Sequence, residues 1–395
     1  MLIPRRLRRF ATGPALAAFL VTIACNRPAA ETGAAPVQPP LPQLFFEPAQ
    51  ASRDAGDVGR FLAGLPGASG SPFFGLEELE ERKAHRLALD RAWSRIQANE
   101  ITAMKQFQSQ ELSGGAISKA IVFYPFSGPD VLMLTVFFPR SPAYVMVGLE
   151  PPGSLPAPEK LAQKDLKRYL EAVRSTVHSE LHRSFFITRE MNRQFRGQIS
   201  DGLLPTILHL LVRTGHTVIG HRHVRLDPNG RVVERSVQER GGRNHGVQID
   251  FRADADQSVH QLFYFSVNLS DARLRQNEPF LRFLSRLEGS AAFLKATSYL
   301  IHRQEFSIIR QQLLDKSVAI LQDDSGVPYR FFEPSIWRVQ LYGAYDRPYG
   351  SFRWLQQPDL NKAYATQSPK PLGFHIGYGF ARIPSNLLLA VRTPR

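Results

Sequence analysis

The sequence predicts an α/β protein whose mixed sheet is flanked by helices and is more antiparallel in its middle region. One observation behind this prediction is the segment Ala116–Pro152, in which the apolar runs Ala120–Tyr124 and Tyr144–Leu149 enclose the apolar stretch Val131–Phe138. Short runs of this kind are typical of strands buried on both faces, and a stretch that is apolar all round is typical of a buried helix. A second observation is the alternating, turn-rich region 217–269, which predicts about four antiparallel strands.

The turn inside the first segment, Pro125-Phe126-Ser127-Gly128-Pro129, ends the first strand and begins the helix. Gly128 is expected at the N-cap with Pro129 at the first helical position, where its missing N–H is not needed. Asp130 then suits the positive end of the helix dipole. The segment therefore predicts a strand–helix–strand unit.

The remaining elements follow from hydrophobic periodicity and from turn residues. Leu76–Glu111 and Pro158–Arg196 are each predicted to form one or two helices, and single helices are predicted at Leu203–Thr214, Pro279–Leu287, Ala291–Ile301 and Glu305–Leu314. Further strands are predicted at Ser317–Gln322, Trp337–Tyr342, Phe374–Tyr378 and Leu387–Val391. Together these elements predict a single large domain over residues 58–395, with a possible sub-boundary near residue 215.

The N-terminus carries an export signal. Arg5, Arg6, Arg8 and Arg9 precede the apolar segment Pro14–Ala24, which is too short to span a bilayer. Because it ends at Cys25, the region resembles a bacterial lipoprotein signal over the first 26 residues. The resemblance implies a signal peptide at 1–24, a lipid on Cys25, and an outer-membrane location facing the periplasm or the surface, since Asn26 follows. Simple cleavage after Ala24, which leaves no lipid, is the alternative.

Residues 25–57 are rich in proline and alanine and are predicted to form an extended tether between the anchor and the domain. Cys25 is the only cysteine of the chain, which excludes an intramolecular disulfide, a cysteine-based zinc site and a thiol catalyst. A sole cysteine at the end of an export signal is most simply an acyl acceptor. The tether and the cysteine therefore both support a membrane-anchored protein of the cell envelope.

The net charge is +14, and the four signal arginines account for part of it. The remaining positive charge is expected to favour contact with anionic lipid. No nucleic-acid-binding motif is present, and the predicted export also argues against nucleic acid as a partner. Oligomeric state is not predicted by the sequence.

The opening turn resembles that of Rossmann-like folds, including class I methyltransferases. In those folds a glycine turn lets the backbone approach a ligand, and an acid about 20 residues later ends the second strand. Here Glu150 follows Gly128 by 22 positions. The resemblance covers residues 116–152 and implies a Rossmann-like sheet, but it assigns no cofactor.

Ligands of open α/β sheets bind beyond the carboxyl ends of the parallel strands. Polar or flexible residues follow three predicted strands, Ala120–Tyr124, Tyr144–Leu149 and Ser317–Gln322. If the three strands are parallel, these residues lie together at one edge of the sheet and form a single ligand site. The candidate binding residues are Ser127, Gly128, Asp130, Glu150, Asp323 and Asp324.

Two histidines suggest a metal site. His221 and His223 are two apart on a predicted strand, so both side chains point to one face. Such a pair can hold zinc or copper if His245, Asp250 or His260 supplies a third ligand. An exposed polar strand face is the simpler alternative.

Other chemistry is less well supported by the residue pattern. Ser127 and Ser325 lack the Gly-x-Ser-x-Gly surroundings of a hydrolase nucleophile. The aromatic residues of Tyr329–Trp354 can stack on glycan if exposed, and complete the core if buried. The sequence thus favours an envelope lipoprotein that binds a ligand or partner on an α/β scaffold. An enzyme, either a degenerate Rossmann-like transferase or a metal-dependent hydrolase, is the alternative, and a purely structural surface protein is a third possibility.

Overall fold

A computed structural model describes residues 53–156, 166–183, 202–235, 244–255, 257–379 and 384–394. These residues belong to one compact unit. In the described residues, every helix is too short or too polar to cross a membrane. The predicted signal peptide with Cys25, and most of the predicted tether, lie outside the described residues.

The centre of the fold is one sheet of ten strands. In chain order these are β1 Val122–Pro125, β2 Ala143–Gly148, β3 His216–Leu226, β4 Val232–Glu234, β5 His245–Ala253, β6 Val259–Ser266, β7 Ser290–Leu294, β8 Ser317–Gln322, β9 Trp337–Gly343 and β10 Asn386–Arg392. Their order across the sheet is β4-β3-β5-β6-β2-β1-β7-β8-β10-β9.

Five adjacent strands, β6-β2-β1-β7-β8, are parallel to one another. Numbered by their order in the chain, they lie in the spatial order 3-2-1-4-5, which is that of doubly wound sheets. The chain first adds β2 and β6 on one side of β1 and then β7 and β8 on the other side. The topological switch point therefore lies between β1 and β7.

The middle region is antiparallel, as predicted. β3 pairs with β4 and β5, and β5 pairs with β6, in antiparallel register. β6 joins this region to the parallel strands because its other neighbour, β2, is parallel to it. At the opposite end β10 runs antiparallel to both β8 and β9. The predicted α/β fold with a mixed sheet is confirmed.

The helices are α1 Arg53–Leu62, α2 Glu80–Ile96, α3 Thr102–Phe107, α4 Val131–Phe137, α5 Leu166–Arg183, α6 Leu204–Arg213, α7 Asp271–Leu274, α8 Glu278–Ser285, α9 Ser307–Lys316 and α10 Pro358–Thr366. Two π-helical turns, Gln97–Ile101 and Gln108–Leu112, continue α2 and α3, so the helical run reaches from 80 to 112. The Asn277 side chain caps α8 by accepting a hydrogen bond from the Phe280 amide.

The sheet separates two hydrophobic cores, and neighbouring residues of a strand enter opposite ones. In β1, Val122 and Tyr124 belong to the core that α1 to α6 cover, whereas Phe123 belongs to the other. The second core is covered by α8, α9 and α10. Burial on both faces explains why the parallel strands have continuous apolar sequences rather than alternating ones.

Two predictions of local structure are wrong. Ala291–Ile301 was predicted to be a helix, but Ser290–Leu294 is the strand β7. The run Ala291-Ala292-Phe293-Leu294 has no helical period, and it is paired on both sides in the sheet. Phe374–Tyr378 is not a strand. The helix α1 includes residues 53–57, which were predicted to belong to the tether, and it buries Ala55 completely.

The two edges of the sheet differ. β4, at one edge, is three residues long. β9, at the other edge, has a backbone partner outside the named strands: the Lys370 amide donates to the Leu341 carbonyl oxygen, and the Gly343 amide donates to the Lys370 carbonyl oxygen. The segment around Lys370 therefore covers the end of β9.

The central strand β7 provides a test of the core. The ring of Phe293 is fully buried and lies 4.7 Å from that of Tyr124 and 5.7 Å from that of Phe137. We expect Phe293→Ala to lower the free energy of unfolding by about 3–5 kcal/mol, because it removes buried ring contacts and leaves a cavity. Urea denaturation measures this change.

The matched control is Phe74→Ala, because the Phe74 side chain is 62% exposed. Its effect is expected to stay within about 0.5 kcal/mol of wild type. Equal losses in the two variants would contradict the assignment of Phe293 to a central buried strand.

Candidate functional site

A cavity of about 480 Å³ lies at the carboxyl ends of β1, β2, β6 and β7. Four loops line it, and each loop directly follows one of these strands. The cavity therefore sits across the switch point, where doubly wound sheets hold their ligands. Its volume is within the range of small-molecule sites.

The floor of the cavity contains a buried ion pair. Lys295 Nζ, just after β7, lies 2.6 Å from Asp130 Oδ2, just after the β1 turn, and both side chains are 2% exposed. The Tyr124 hydroxyl donates to the same oxygen at 2.8 Å. The other oxygen, Asp130 Oδ1, is buried and has no hydrogen-bond partner. A buried carboxylate oxygen without a donor is uncommon in native structures.

The prediction that Gly128 caps the helix is wrong. Asp130 occupies the N-cap position of α4, and its side chain makes no capping hydrogen bond. The carboxylate points instead to Lys295 and Tyr124. Gly128 has φ 53°, a left-handed conformation that glycine adopts without strain, and it lines the cavity.

Among the described residues, four of the seven non-glycine residues with positive φ lie in the two loops beside the switch point. Phe126, in the loop after β1, has φ 61°. In the loop after β7, Ala296, Ser298 and Tyr299 have φ between 49° and 55°. Such conformations are strained for residues other than glycine and are commonly found at binding and catalytic sites. The structure stores this strain at the wall of the cavity.

Side chains of the loop after β8 and of a later segment accept hydrogen bonds from the strained segment after β7. The Ala296 amide donates to Asp323 Oδ2 at 2.8 Å, and the Thr297 amide donates to Ser325 Oγ at 2.9 Å. The Ser298 amide donates to the Tyr378 hydroxyl at 3.0 Å. Three successive amides thus have side-chain acceptors, and these contacts fix the wall of the cavity.

Glu150 follows β2 and also lines the cavity. Its Oε2 accepts from the Leu149 amide at 3.1 Å, and the Tyr264 hydroxyl donates to its carbonyl oxygen at 2.8 Å. This packing requires Gly148, because a Cβ there would lie 2.6 Å from the Tyr264 hydroxyl and 2.8 Å from Glu150 Oε2. Burial, reinforced by Glu150, raises the pKa of Tyr264 well above its usual value, so this hydroxyl stays a donor.

Ser127 lines the cavity but has the contacts of a turn residue. Its hydroxyl donates to the carbonyl oxygens of Gly128 and Val147, at 3.0 and 3.4 Å. Its amide also donates to the Val147 carbonyl oxygen, at 3.0 Å. Ser127 therefore links the β1 turn to the end of β2. Ser325, the other serine considered as a nucleophile, is fully buried and donates to Asp323 Oδ1 at 2.5 Å.

Asp323 and Asp324 follow the parallel strand β8 but do not line this cavity. Both are buried and brace the loop after β7: Asp323 accepts from Ala296, and Asp324 Oδ2 accepts from the Tyr299 hydroxyl at 2.5 Å. Asp324 lines a second, smaller cavity of about 210 Å³, together with Arg347, Arg353 and other residues. Of the six predicted binding residues, four thus lie at the large cavity and two support its wall.

The remaining lining is mixed. Apolar walls come from Phe126, Val147, Leu149, Val267, Leu269, Leu300 and Phe306, and further polar groups come from Asn268, Ser270, Thr297 and Ser298. Leu149 is 65% exposed, which is unusual for a large apolar side chain beside a cavity. The cavity therefore combines a charged floor with largely apolar walls.

Sequence reasoning missed Lys295, because the segment that places it was interpreted as a helix. The sequence does contain a signal for this residue. Gly289 is a turn residue, the five residues Ser290–Leu294 form a short and mainly apolar run, and Lys295 follows at the position where a buried strand would end. A charged residue at that position of a parallel strand faces the ligand edge of the sheet.

The two histidines of the metal prediction are neighbours in the structure. Their rings on β3 lie 6.3 Å apart, and burial lowers the pKa of each. Within the described ranges, no group of three histidine, cysteine or acidic side chains is placed to hold a metal ion. Zinc or copper at His221 and His223 stays a prediction for which the described residues supply no third ligand.

Most aromatic residues of Tyr329–Trp354 complete the core rather than form an exposed band. Phe332, Trp337, Tyr342 and Tyr345 are buried, and Trp354 is the large apolar side chain of this region that is most exposed, at 69%. Arg303 lies over its ring at 5.9 Å. Glycan binding through this region stays a prediction, and the buried members do not support it.

The paired acids after β8 predict a pH effect on stability. Burial, followed by the charge of Asp323, raises the pKa of Asp324 from 3.8 to about 7. Between these values the folded protein keeps a proton that the unfolded chain releases, so the free energy of unfolding should fall as pH rises from 4 to 7. We expect Asp324→Asn to remove part of this decrease, which urea denaturation at pH 5 and pH 7.5 measures.

Asp346→Asn is the control, because it replaces an exposed carboxylate of the same smaller cavity. This variant should keep the pH dependence of wild type. An unchanged pH dependence in Asp324→Asn would contradict the buried, protonated state of that side chain.

No protein-family model matches the chain, and the search of curated proteins gave no match. The candidate site therefore rests on the sheet order, the cavity and the contacts described above.

Proposed function

We propose that the protein binds a small, partly apolar molecule in the cavity at the switch point of its sheet. The observation that carries this proposal is the position of a 480 Å³ cavity at the ends of four parallel strands. Loops and strand ends converge there, so polar groups can be aimed at one point while the sheet stays rigid. A ligand-binding scaffold is the function that this geometry supports best.

Two further features support binding over a purely structural role. The loops beside the switch point keep four non-glycine residues in left-handed conformations, namely Phe126, Ala296, Ser298 and Tyr299. A loop that served only to connect two elements would have no reason to store such strain. The unpartnered oxygen of Asp130 is likewise a feature that a ligand can satisfy.

An enzyme of the Rossmann-like transferase class is the second candidate. The 3-2-1-4-5 strand order and the acidic Glu150 at the end of the second strand favour it. The same cavity would then hold the reacting groups. A metal-dependent hydrolase on β3 has no comparable support, since the described residues bring no third ligand to His221 and His223.

We also propose that the protein works at the cell envelope, anchored through a lipid on Cys25. The support for this part is the basic and apolar N-terminus that ends at the sole cysteine. Anionic lipid is a further proposed partner, because +10 of the net charge of +14 remains after removal of the four signal arginines (14 − 4). Anchoring would hold the binding domain close to a membrane.

Filling the cavity tests the binding function. Ser270 lines the cavity and is half-buried, so Ser270→Phe should occupy the space that a ligand needs. We expect small neutral aromatic fragments that give saturation-transfer NMR signals with wild type to lose at least about tenfold in affinity in this variant. Ser335→Phe, at an exposed position that does not line the cavity, is the matched control. Equal binding by all three proteins would refute the proposed site.

The lipid anchor has its own test, which does not depend on the cavity. Cys25→Ser removes the only possible acyl acceptor thiol of the chain. We expect wild type to partition into the detergent phase after expression in a bacterium that processes lipoproteins, and the variant to move to the aqueous phase. The phase distribution of the two proteins, measured by immunoblot, gives the answer. Retention of the variant in the detergent phase to the wild-type extent would rule the anchor out.

A further inference from the structure

We propose that the cavity selects a neutral ligand with a hydroxyl group, and that Asp130 Oδ1 is the acceptor of the hydrogen bond from that hydroxyl. This inference rests on the proposed binding function and adds the chemical class of the ligand. It follows from three features of the cavity: an acceptor that lacks a donor, the arrangement of charges around it, and the apolar walls above it.

The acceptor is fixed in place and incompletely satisfied. Asp130 is 1% exposed, and its Oδ2 receives both the Lys295 ammonium and the Tyr124 hydroxyl. These two contacts hold the carboxylate plane, so Oδ1 cannot turn away to find another donor. Burying a carboxylate oxygen without a donor is unfavourable, and a ligand that supplies one removes that penalty.

The charges around the acceptor disfavour ionic ligands. An anion would approach the carboxyl groups of Asp130 and Glu150, which both line the cavity. A cation at Asp130 Oδ1 would lie close to Lys295 Nζ, which is only 2.6 Å from the other oxygen of the same carboxylate. Like charges at such distances repel strongly where water is excluded. A neutral donor avoids both repulsions.

A hydroxyl group fits this environment better than other neutral groups. It donates one hydrogen bond, which is what Asp130 Oδ1 lacks, and its lone pairs face a cationic neighbour favourably. Hydrogen bonds to an ionised acceptor are stronger than neutral ones, so the donor is expected to dominate orientation. The polar end of the ligand thus belongs at the floor.

The rest of the ligand faces the apolar walls. Phe126, Leu269, Leu300 and Phe306 line the same cavity as the ion pair, and so does the exposed Leu149. Burial of an apolar body against these side chains supplies affinity, while the single polar contact supplies selectivity. The expected ligand is therefore an alcohol or phenol with an apolar body.

The test uses four probes with the same body: 2-(2-naphthyl)ethanol, its methyl ether, 2-(2-naphthyl)ethylamine and 2-naphthylacetate. Affinities for the wild-type protein are measured by isothermal titration calorimetry, with Ser270→Phe as the blocked reference. The alcohol is expected to bind at least about tenfold more tightly than the ether, which lacks the donor, and than either ion. This comparison needs no change at the ion pair, so it does not depend on the folding of a variant.

The residue is tested by Asp130→Asn, with its fold checked by circular dichroism. The variant should lose the preference for the alcohol over the ether. Asp359→Asn is the matched control, because Asp359 also has a buried carboxylate oxygen without a partner but does not line the cavity. That control should keep the wild-type preference.

The outcomes separate the inference from the proposed function. If the probes bind in a manner that Ser270→Phe blocks, but the alcohol and the ether bind equally, the inference is overturned and the binding function stands. Tightest binding by the amine or the acid overturns it in the same way. If no probe shows binding that Ser270→Phe blocks, the binding function fails, and the inference fails with it.

Discussion

The buried ion pair between Lys295 and Asp130 is the interaction on which the site depends. It joins the turn after β1 to the end of β7, which are the two strands on either side of the switch point. Two charges taken out of water are tolerated only when each satisfies the other, and removal of one partner from such a pair typically destabilises a protein by about 3–5 kcal/mol. The pair therefore couples the stability of the fold to the shape of the cavity, because the strained loops on both sides extend from its two residues.

Sequence reasoning identified the fold class and much of the sheet. The unit β1–α4–β2 was predictable because continuous apolar runs separated by Pro125 and Pro129 leave few alternatives. β8 was predicted with its observed limits, Ser317–Gln322. β7 was missed for a physical reason: a strand buried on both faces shows no period of two, and its two alanines favour a helix when no neighbours are considered. Pairing with β1 and β8 outweighs that preference.

The sequence predicted those residues of the site whose position depends only on where a parallel strand ends. Ser127, Gly128, Asp130 and Glu150 line the cavity because they follow adjacent parallel strands. Asp323 and Asp324 also follow a parallel strand, yet their side chains turn to the amide of Ala296 and the hydroxyl of Tyr299. The orientation of these side chains depends on the conformation of the loop, which is determined by contacts between residues far apart in the chain. The spacing of residues in the sequence does not reveal these contacts. Because β7 was not predicted, Lys295 was not recognised as a residue of the site. The ion pair that it forms with Asp130 was therefore not predicted either.

The segment around Lys370, which covers the end of β9, affects how copies of the protein can associate. An open sheet presents unpaired amides and carbonyls at its edge, and neighbouring copies of a protein can polymerise by adding strands there. Near Leu341 and Gly343 these groups are already bonded to Lys370 of the same chain, and the charged Arg338 side chain is exposed further along the strand. A second copy would have to displace that segment before it could extend the sheet. At high local concentration, which the proposed membrane anchoring would produce, copies of the protein would therefore meet a kinetic barrier to the addition of strands at this edge.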